Sequence, residues 1–193
     1  MARATFVKAA RKDIYTYGKQ VEAVHEKGKN AGKPYIKLDR TQPRDEKDTI
    51  LIPKGSGYWT WCFMNGNPHY SLTQPRQSQL TRSEFLSTYY GIQEEIEDWA
   101  PENVDEVQEF IDNIKDEVQT LLDDTQERLD NMPEQLQESD TGQMLQERID
   151  ECQEIIDQLE AIDGEAGEFD DVGEAEEWLD EKVGEVKDVC FNL

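Results

Sequence analysis

From position 104 onward, apolar side chains recur at a helical period. Val104, Val107, Ile111, Ile114, Val118 and Leu121 are spaced 3, 4, 3, 4 and 3 apart, with Phe110 and Leu122 beside them. An unbroken seam of this kind predicts an amphipathic helix of roughly 30 residues, interrupted at Asn131, Met132 and Pro133. After a polar bridge containing Ser139, Thr141 and Gly142, a second seam at Leu145, Ile149, Cys152, Ile156 and Leu159 repeats the spacing. Two matching seams joined by a short bridge predict an antiparallel helical hairpin. Gly164 and Gly167 close its second arm. A third stripe, at Ala175, Trp178 or Leu179, Val183 and Val186 to Cys190, marks a terminal helix. That helix either completes a small bundle or docks at the base of a projecting coiled coil.

Upstream of position 90 the period changes to two. The run 58–64 (Y-W-T-W-C-F-M) is followed by Asn65-Gly66 and then by the β-prone run 69–73. An Asn-Gly pair between two such runs predicts a hairpin, because both central turn positions need positive φ. Alternation places Trp59, Trp61 and Phe63 on one face and Tyr58, Thr60, Cys62 and Met64 on the other. Residues 35–38 and 49–52 are short β-prone runs expected to pair across the turn 41–48. Residues 2–17 fit either a short helix or an extended arm, and 18–32 has the composition of a mobile basic loop. Thr81 to Glu84 has the form of a capping box opening a helix through Phe85, Leu86, Tyr89, Ile92 and Ile96 to Trp99, whose stripe is expected to lie on the sheet. The class that follows is α+β. A small antiparallel β-module with a packed helix (1–100) precedes an all-α acidic helical hairpin or coiled coil with a terminal helix (101–193).

Charge sharpens this division. The 193 residues hold 20 Lys and Arg against 44 Asp and Glu, a net charge of -24. Cut after Tyr90, the first part carries 15 cationic and 8 anionic side chains and the second 5 and 36. A basic surface attracts polyanions and an acidic one repels them, so two functional pieces are expected. No apolar run approaches the roughly 18 residues of a membrane span, and the first residues lack the apolar stretch of a secretion signal. A soluble protein of the cytoplasm is therefore expected, with no membrane partner.

Catalytic signatures are missing from the sequence. It contains no phosphate-binding glycine loop, no H-E-x-x-H and no G-x-S-x-G, and its only histidines are His25 and His69. Cys62, Cys152 and Cys190 are odd in number and far apart, which argues against a zinc site or a disulfide framework. Cys62 and His69 flank the predicted turn and are expected as a neutral cross-strand pair. The acidic loop 163–171 lacks the ligand spacing of a calcium-binding loop. A non-enzymatic protein without cofactor or metal is expected. Two surfaces carry candidate chemistry. Tyr58, Trp59, Trp61 and Tyr70, with Arg76 and Arg82, combine stacking rings with phosphate-seeking cations, the ingredients of nucleic-acid contact; the alternative for the rings is a sheet core. Asp116, Glu117, Asp123, Asp124, Glu127, Glu147, Asp150 and Glu154 form the candidate acidic face for a basic partner, against the simpler reading that they keep a helical arm soluble.

The run Tyr58-Trp59-Thr60-Trp61-Cys62-Phe63, followed by Gly66, His69-Tyr70-Ser71, Thr73, Pro75-Arg76, Ser78-Gln79-Leu80-Thr81 and Ser83-Glu84-Phe85, resembles a segment of a bacteriophage-encoded protein family. The opening Ala4-Thr5-Phe6-Val7-Lys8 and Ala10-Arg11-Lys12-Asp13 is similar as well. Residues 19–47 look like an insertion relative to that family. The resemblance implies a phage or prophage origin, hence the cytoplasm of an infected bacterium, and carries no activity with it. The expectation is an interaction protein whose acidic helices dock on a basic surface of a host or phage protein. In its sharpest form it is a nucleic-acid mimic inhibiting a host nucleic-acid-binding defence enzyme. The alternatives are a DNA- or RNA-binding protein acting through the N-terminal module, and a virion structural or assembly component. Homodimerisation through the helices is a further option.

Overall fold

A computed structural model describes residues 1–25, 31–64, 66–169, 171–189 and 191. The fold is α+β, with the strands in the N-terminal part and the helices in the C-terminal part. The chain divides into two compact units, Met1–Arg82 and Ser83–Leu193. The first holds 15 cationic and 7 anionic side chains, the second 5 and 37.

In the first unit, residues 2–17 are extended. Strand β1 is Thr5–Val7 and β2 is Ile14–Tyr15. β3 (Lys19–Val24) pairs antiparallel with β4 (Pro34–Asp39), Val21 opposite Lys37. β5 (Ile50–Ile52) pairs with β2. β6 (Tyr58–Trp61) lies between β1 and β7 (His69–Ser71), all antiparallel, with Phe6 opposite Trp59 and Trp61 opposite His69. Thus the two runs expected to form one hairpin, 35–38 and 49–52, take different partners. The region expected as a basic loop supplies β3, whose half-buried Val21 and Ala23 alternate with exposed Gln20 and Glu22. Residues 26–30 of that region, with Lys27 and Lys29, lie outside the described residues.

The β3–β4 ribbon is held at its base by one side chain. Asp48 accepts from the backbone N–H of Tyr17 (3.0 Å), Gly18 (2.8 Å) and Arg44 (2.9 Å). Gly18 is buried at φ +72°, and a Cβ there would sit 2.7 Å from Arg40 Cα, so only glycine fits. Beneath the strands, Ala10, Ile14 and Ile52 form a small core with Tyr58 and Tyr70 packed against it.

In the second unit, α1 (Glu84–Asp98) starts at Ser83, whose hydroxyl caps Leu86 N–H at 3.3 Å. The cap therefore lies two residues beyond the Thr81 expected from the sequence. α2 (Glu106–Asp130) and α4 (Asp140–Glu160) form the helical hairpin, with the single turn α3 (Glu134–Gln137) between them, and α5 (Val172–Lys187) follows. The predicted seams are buried: Val107, Ile111, Ile114, Val118 and Leu121 on α2, and Leu145, Ile149, Cys152, Ile156 and Leu159 on α4. Val104 precedes α2, and Thr141 and Gly142 fall inside α4 rather than in the bridge.

The stripe of α1 (Phe85, Tyr89, Ile92 and Ile96) joins this same core. The expectation that α1 lies on the sheet is thereby corrected, and the division falls at 82/83 rather than at 100. The physical reason is complementarity: the helical hairpin offers α1 a long aliphatic face, and Trp99 stacks on Phe110 at 4.3 Å with 5° between planes. The hairpin bridge is closed by side chains. Gln137 Nε2 donates to the Leu129 and Met132 carbonyls (3.3 and 2.9 Å), satisfying groups that the end of α2 leaves open. Among the described residues no helix is long and apolar enough to cross a membrane.

Candidate functional site

The aromatic residues singled out in the sequence separate onto the two faces of the β1–β6–β7 sheet, as alternation requires. On one face, half-buried Trp59 packs on exposed Phe6 at 5.3 Å, and buried Trp61 is stacked by His69 at 5.4 Å and 14°. Phe63 meets the same imidazole edge-on. The expected Cys62–His69 pair does not form. Register sets His69 opposite Trp61, and the Cys62 thiol donates instead to the Phe63 and Gly66 carbonyls inside the turn. Arg82 is committed to this turn as well: its Nη1 donates to the Met64 carbonyl at 3.0 Å and its guanidinium lies 5.4 Å from the Phe63 ring centre. Arg76 is exposed at the start of the 3-10 turn Gln77–Leu80. Trp61 is thus buried within the hairpin, whereas Arg82 is exposed with one nitrogen tied to the turn.

On the other face, Tyr58 and Tyr70 pack at 5.9 Å and line a cavity of about 580 Å³. Its other walls come from the loop between β1 and β2, with Arg11 and Lys12, and from the end of β4, with Asp39 and Arg40. The Arg40 guanidinium lies 5.7 Å from the Tyr70 ring centre, while its Nε is buried with no hydrogen-bond partner among the described residues. Asp39 makes no ion pair with it among the described residues. Thr41 donates to Asp39 through its hydroxyl (2.7 Å) and its backbone N–H (2.9 Å), and Gln42 adds a third bond at 3.1 Å. These bonds hold the Asp39 carboxyl below the usual carboxylate range. Desolvation, and then the neighbouring Tyr58, push the Tyr70 phenol up. Arg11, Lys12 and Arg40 were not among the residues singled out by sequence, since two segments distant in the chain bring them together.

The acidic candidates all belong to the second unit. Asp116, Glu117, Asp123, Asp124 and Glu127 on α2, and Glu147, Asp150 and Glu154 on α4, are exposed. Asp116, Asp123 and Glu127 lie on the side of α2 away from its buried seam, as their spacing of 7 and 4 requires. Glu117 and Asp124 lie on the flank facing α1, lining a small cleft with Glu84 and Arg128. Burial, and then the charge of Glu95, push the Glu117 carboxyl up.

A pattern not singled out in the sequence organises this acidic surface. Gln108, Gln119, Gln126, Gln146 and Gln153 each donate to an aspartate four residues on, at 2.8 to 3.1 Å. The signal was available as a repeated Q-x-x-x-D. Cations are paired more sparsely, by Lys115–Glu160 (3.2 Å), Arg128–Glu84 (2.7 Å) and Lys182–Glu185 (2.7 Å). Among the described residues no group of three or more His, Cys, Asp or Glu is arranged to hold a metal. Inside the bundle, the Tyr89 hydroxyl donates to Glu151, and burial pushes the Cys152 thiol up to about 11. Cys190 lies outside the described residues. No protein-family model, curated protein or solved structure matches the chain.

Proposed function

We propose that this chain is a non-enzymatic, phage-type interaction protein whose helical unit docks its carboxylate-bearing faces on a basic surface of a host or phage protein. In the sharpest form it takes the place of nucleic acid on a host nucleic-acid-binding defence enzyme. The observation that carries this reading is charge density along paired rods. α2 and α4 together hold sixteen Asp and Glu. Over the roughly 37 Å of α2, at 1.5 Å per residue, that is about one carboxylate per 2.3 Å of axis. Duplex DNA offers one phosphate charge per about 1.7 Å. A groove built to bind phosphates meets a comparable field here. The phage resemblance of the Tyr58–Phe85 region supplies the setting, the cytoplasm of an infected bacterium.

The test is competition. Candidate host DNA-binding and DNA-cleaving enzymes are loaded with a labelled duplex, and the full chain is titrated in at increasing salt. Displacement of the duplex is expected, weakening as salt rises. The combined variant Asp123→Asn, Glu127→Gln, Asp150→Asn, Glu154→Gln is expected to lose about tenfold or more in affinity, since each neutralised pair weakens a charge-assisted contact. Affinity indifferent to both salt and neutralisation would remove the reading.

A further inference from the structure

The cavity of the first unit plays no part in acidic docking, and its chemistry is of the opposite sign. Its lining includes three cations, Arg11 and Lys12 from the loop after β1 and Arg40 from the end of β4, and two phenol rings, Tyr58 and Tyr70. The one carboxylate present, Asp39, has its oxygens occupied by Thr41 and Gln42. Arg40 is half-buried, with an Nε that is sealed from solvent and unpartnered among the described residues. That nitrogen, closed even to water, is not itself a ligand contact; the rest of the Arg40 side chain lines the cavity. No ion pair to Arg11 or Lys12 is found among the described residues, and both are exposed.

We propose that this cavity is a nucleotide-binding site, in which Arg11, Lys12 and Arg40 hold a phosphate group while the base lies against Tyr58 and Tyr70. Phosphate chemistry fits the charge: a phosphate monoester carries close to two negative charges at neutral pH, and the site sets three cations against the single ionised carboxylate of Asp39. A guanidinium presents its donors in a planar fork that matches phosphate oxygens. Size points beyond a bare ion. About 580 Å³ is within the range of small-molecule sites and far exceeds a single phosphate. The phenol rings, with apolar Ala10 and Ile14 beside them, supply a surface for a flat heterocycle. The nucleotide comes either free or as part of a single strand, and both present the same phosphate and base.

The test uses the full chain and calorimetry at low salt with three probes: inorganic phosphate, a nucleoside monophosphate, and a 5′-phosphorylated single strand of about ten nucleotides. Binding of the monophosphate supports the site with a free nucleotide as its ligand, and binding of the strand alone supports it with a strand as the source. In either case Arg40→Gln is expected to weaken binding about tenfold or more, while Lys47→Gln, exposed and outside the cavity, changes it less than about twofold. Where Arg40→Gln alters the circular dichroism spectrum, Lys12→Gln on the exposed rim takes its place with the same expectation. Inorganic phosphate bound as tightly as the nucleotides, no binding of any probe, or binding untouched by these variants would overturn the proposal. All sixteen carboxylates of the docking helices are unchanged throughout, so these outcomes leave the competition experiment unaffected.

Discussion

Glu117 shows how the setting of a residue changes its role. By sequence it belongs with Asp116 in the acidic face, yet it sits beside Glu95 on the flank toward α1. Burial first, and the Glu95 charge second, raise its pKa in the folded state, so the ionised form is a cost of folding at neutral pH. That cost is present above the folded pKa and fades as pH falls through it. Glu117→Gln is therefore expected to raise the urea midpoint at pH 7. After discounting for solvent screening the gain is a few tenths of a kcal/mol, shrinking as pH approaches about 4. An unchanged or lowered midpoint at pH 7 would show that the carboxylate is not repelled there. Because Glu117 faces α1, its removal should also affect docking less than loss of Asp123 or Glu127.

At the scale of elements, the helices and the β6–β7 hairpin were readable, and the other strand partners were not. A helical seam is local: Val107 to Leu121 and Leu145 to Leu159 name their own buried faces. Strand pairing depends on segments far apart. Ile50–Ile52 could have taken 35–38 or Ile14–Tyr15, and nothing in its composition chooses between them. β3 was hidden because glycines and lysines surround Val21 and Ala23. The exposure of the acidic side chains was legible in their spacing against the seams, whereas the cavity, assembled from three segments, was not. The base of the ribbon depends on Asp48. Desolvation raises its carboxyl, but hydrogen bonds from Arg44, Tyr17 and Gly18 outweigh that and hold it below its ordinary value. A lowered folded pKa means that the stabilisation is complete above the ordinary carboxylate range and is lost as pH falls through the folded value. Asp48→Ala is expected to speed hydrogen exchange at the Tyr17, Gly18 and Arg44 amides at pH 7. In the parent chain the same amides are expected to lose protection only below about pH 4. Equal protection in both proteins at pH 7 would rule out the clasp.

For the molecule as a whole, the dominant fact is segregation of charge between units. The second unit holds 37 carboxylates against 5 cations, and the aliphatic core of the bundle must hold that repulsion together. Screening should relieve it, since the Debye length falls from about 30 Å at 0.01 M salt to about 3 Å at 1 M. The melting temperature of the helical unit is expected to rise by several degrees across that range, where roughly 1 kcal/mol corresponds to about 4–8 °C for a unit of this size. A melting temperature that stays level or falls would mean that the ion pairs outweigh the repulsion.

The glutamines beside the aspartates have one more consequence. A lysine four residues away would steady each carboxylate while cancelling its charge; an amide steadies it and leaves the charge intact. Such a surface behaves like a printed circuit of fixed anions rather than a brush of waving ones. Exchanging those glutamines for lysines would preserve the helices and erase the row of uncompensated charge.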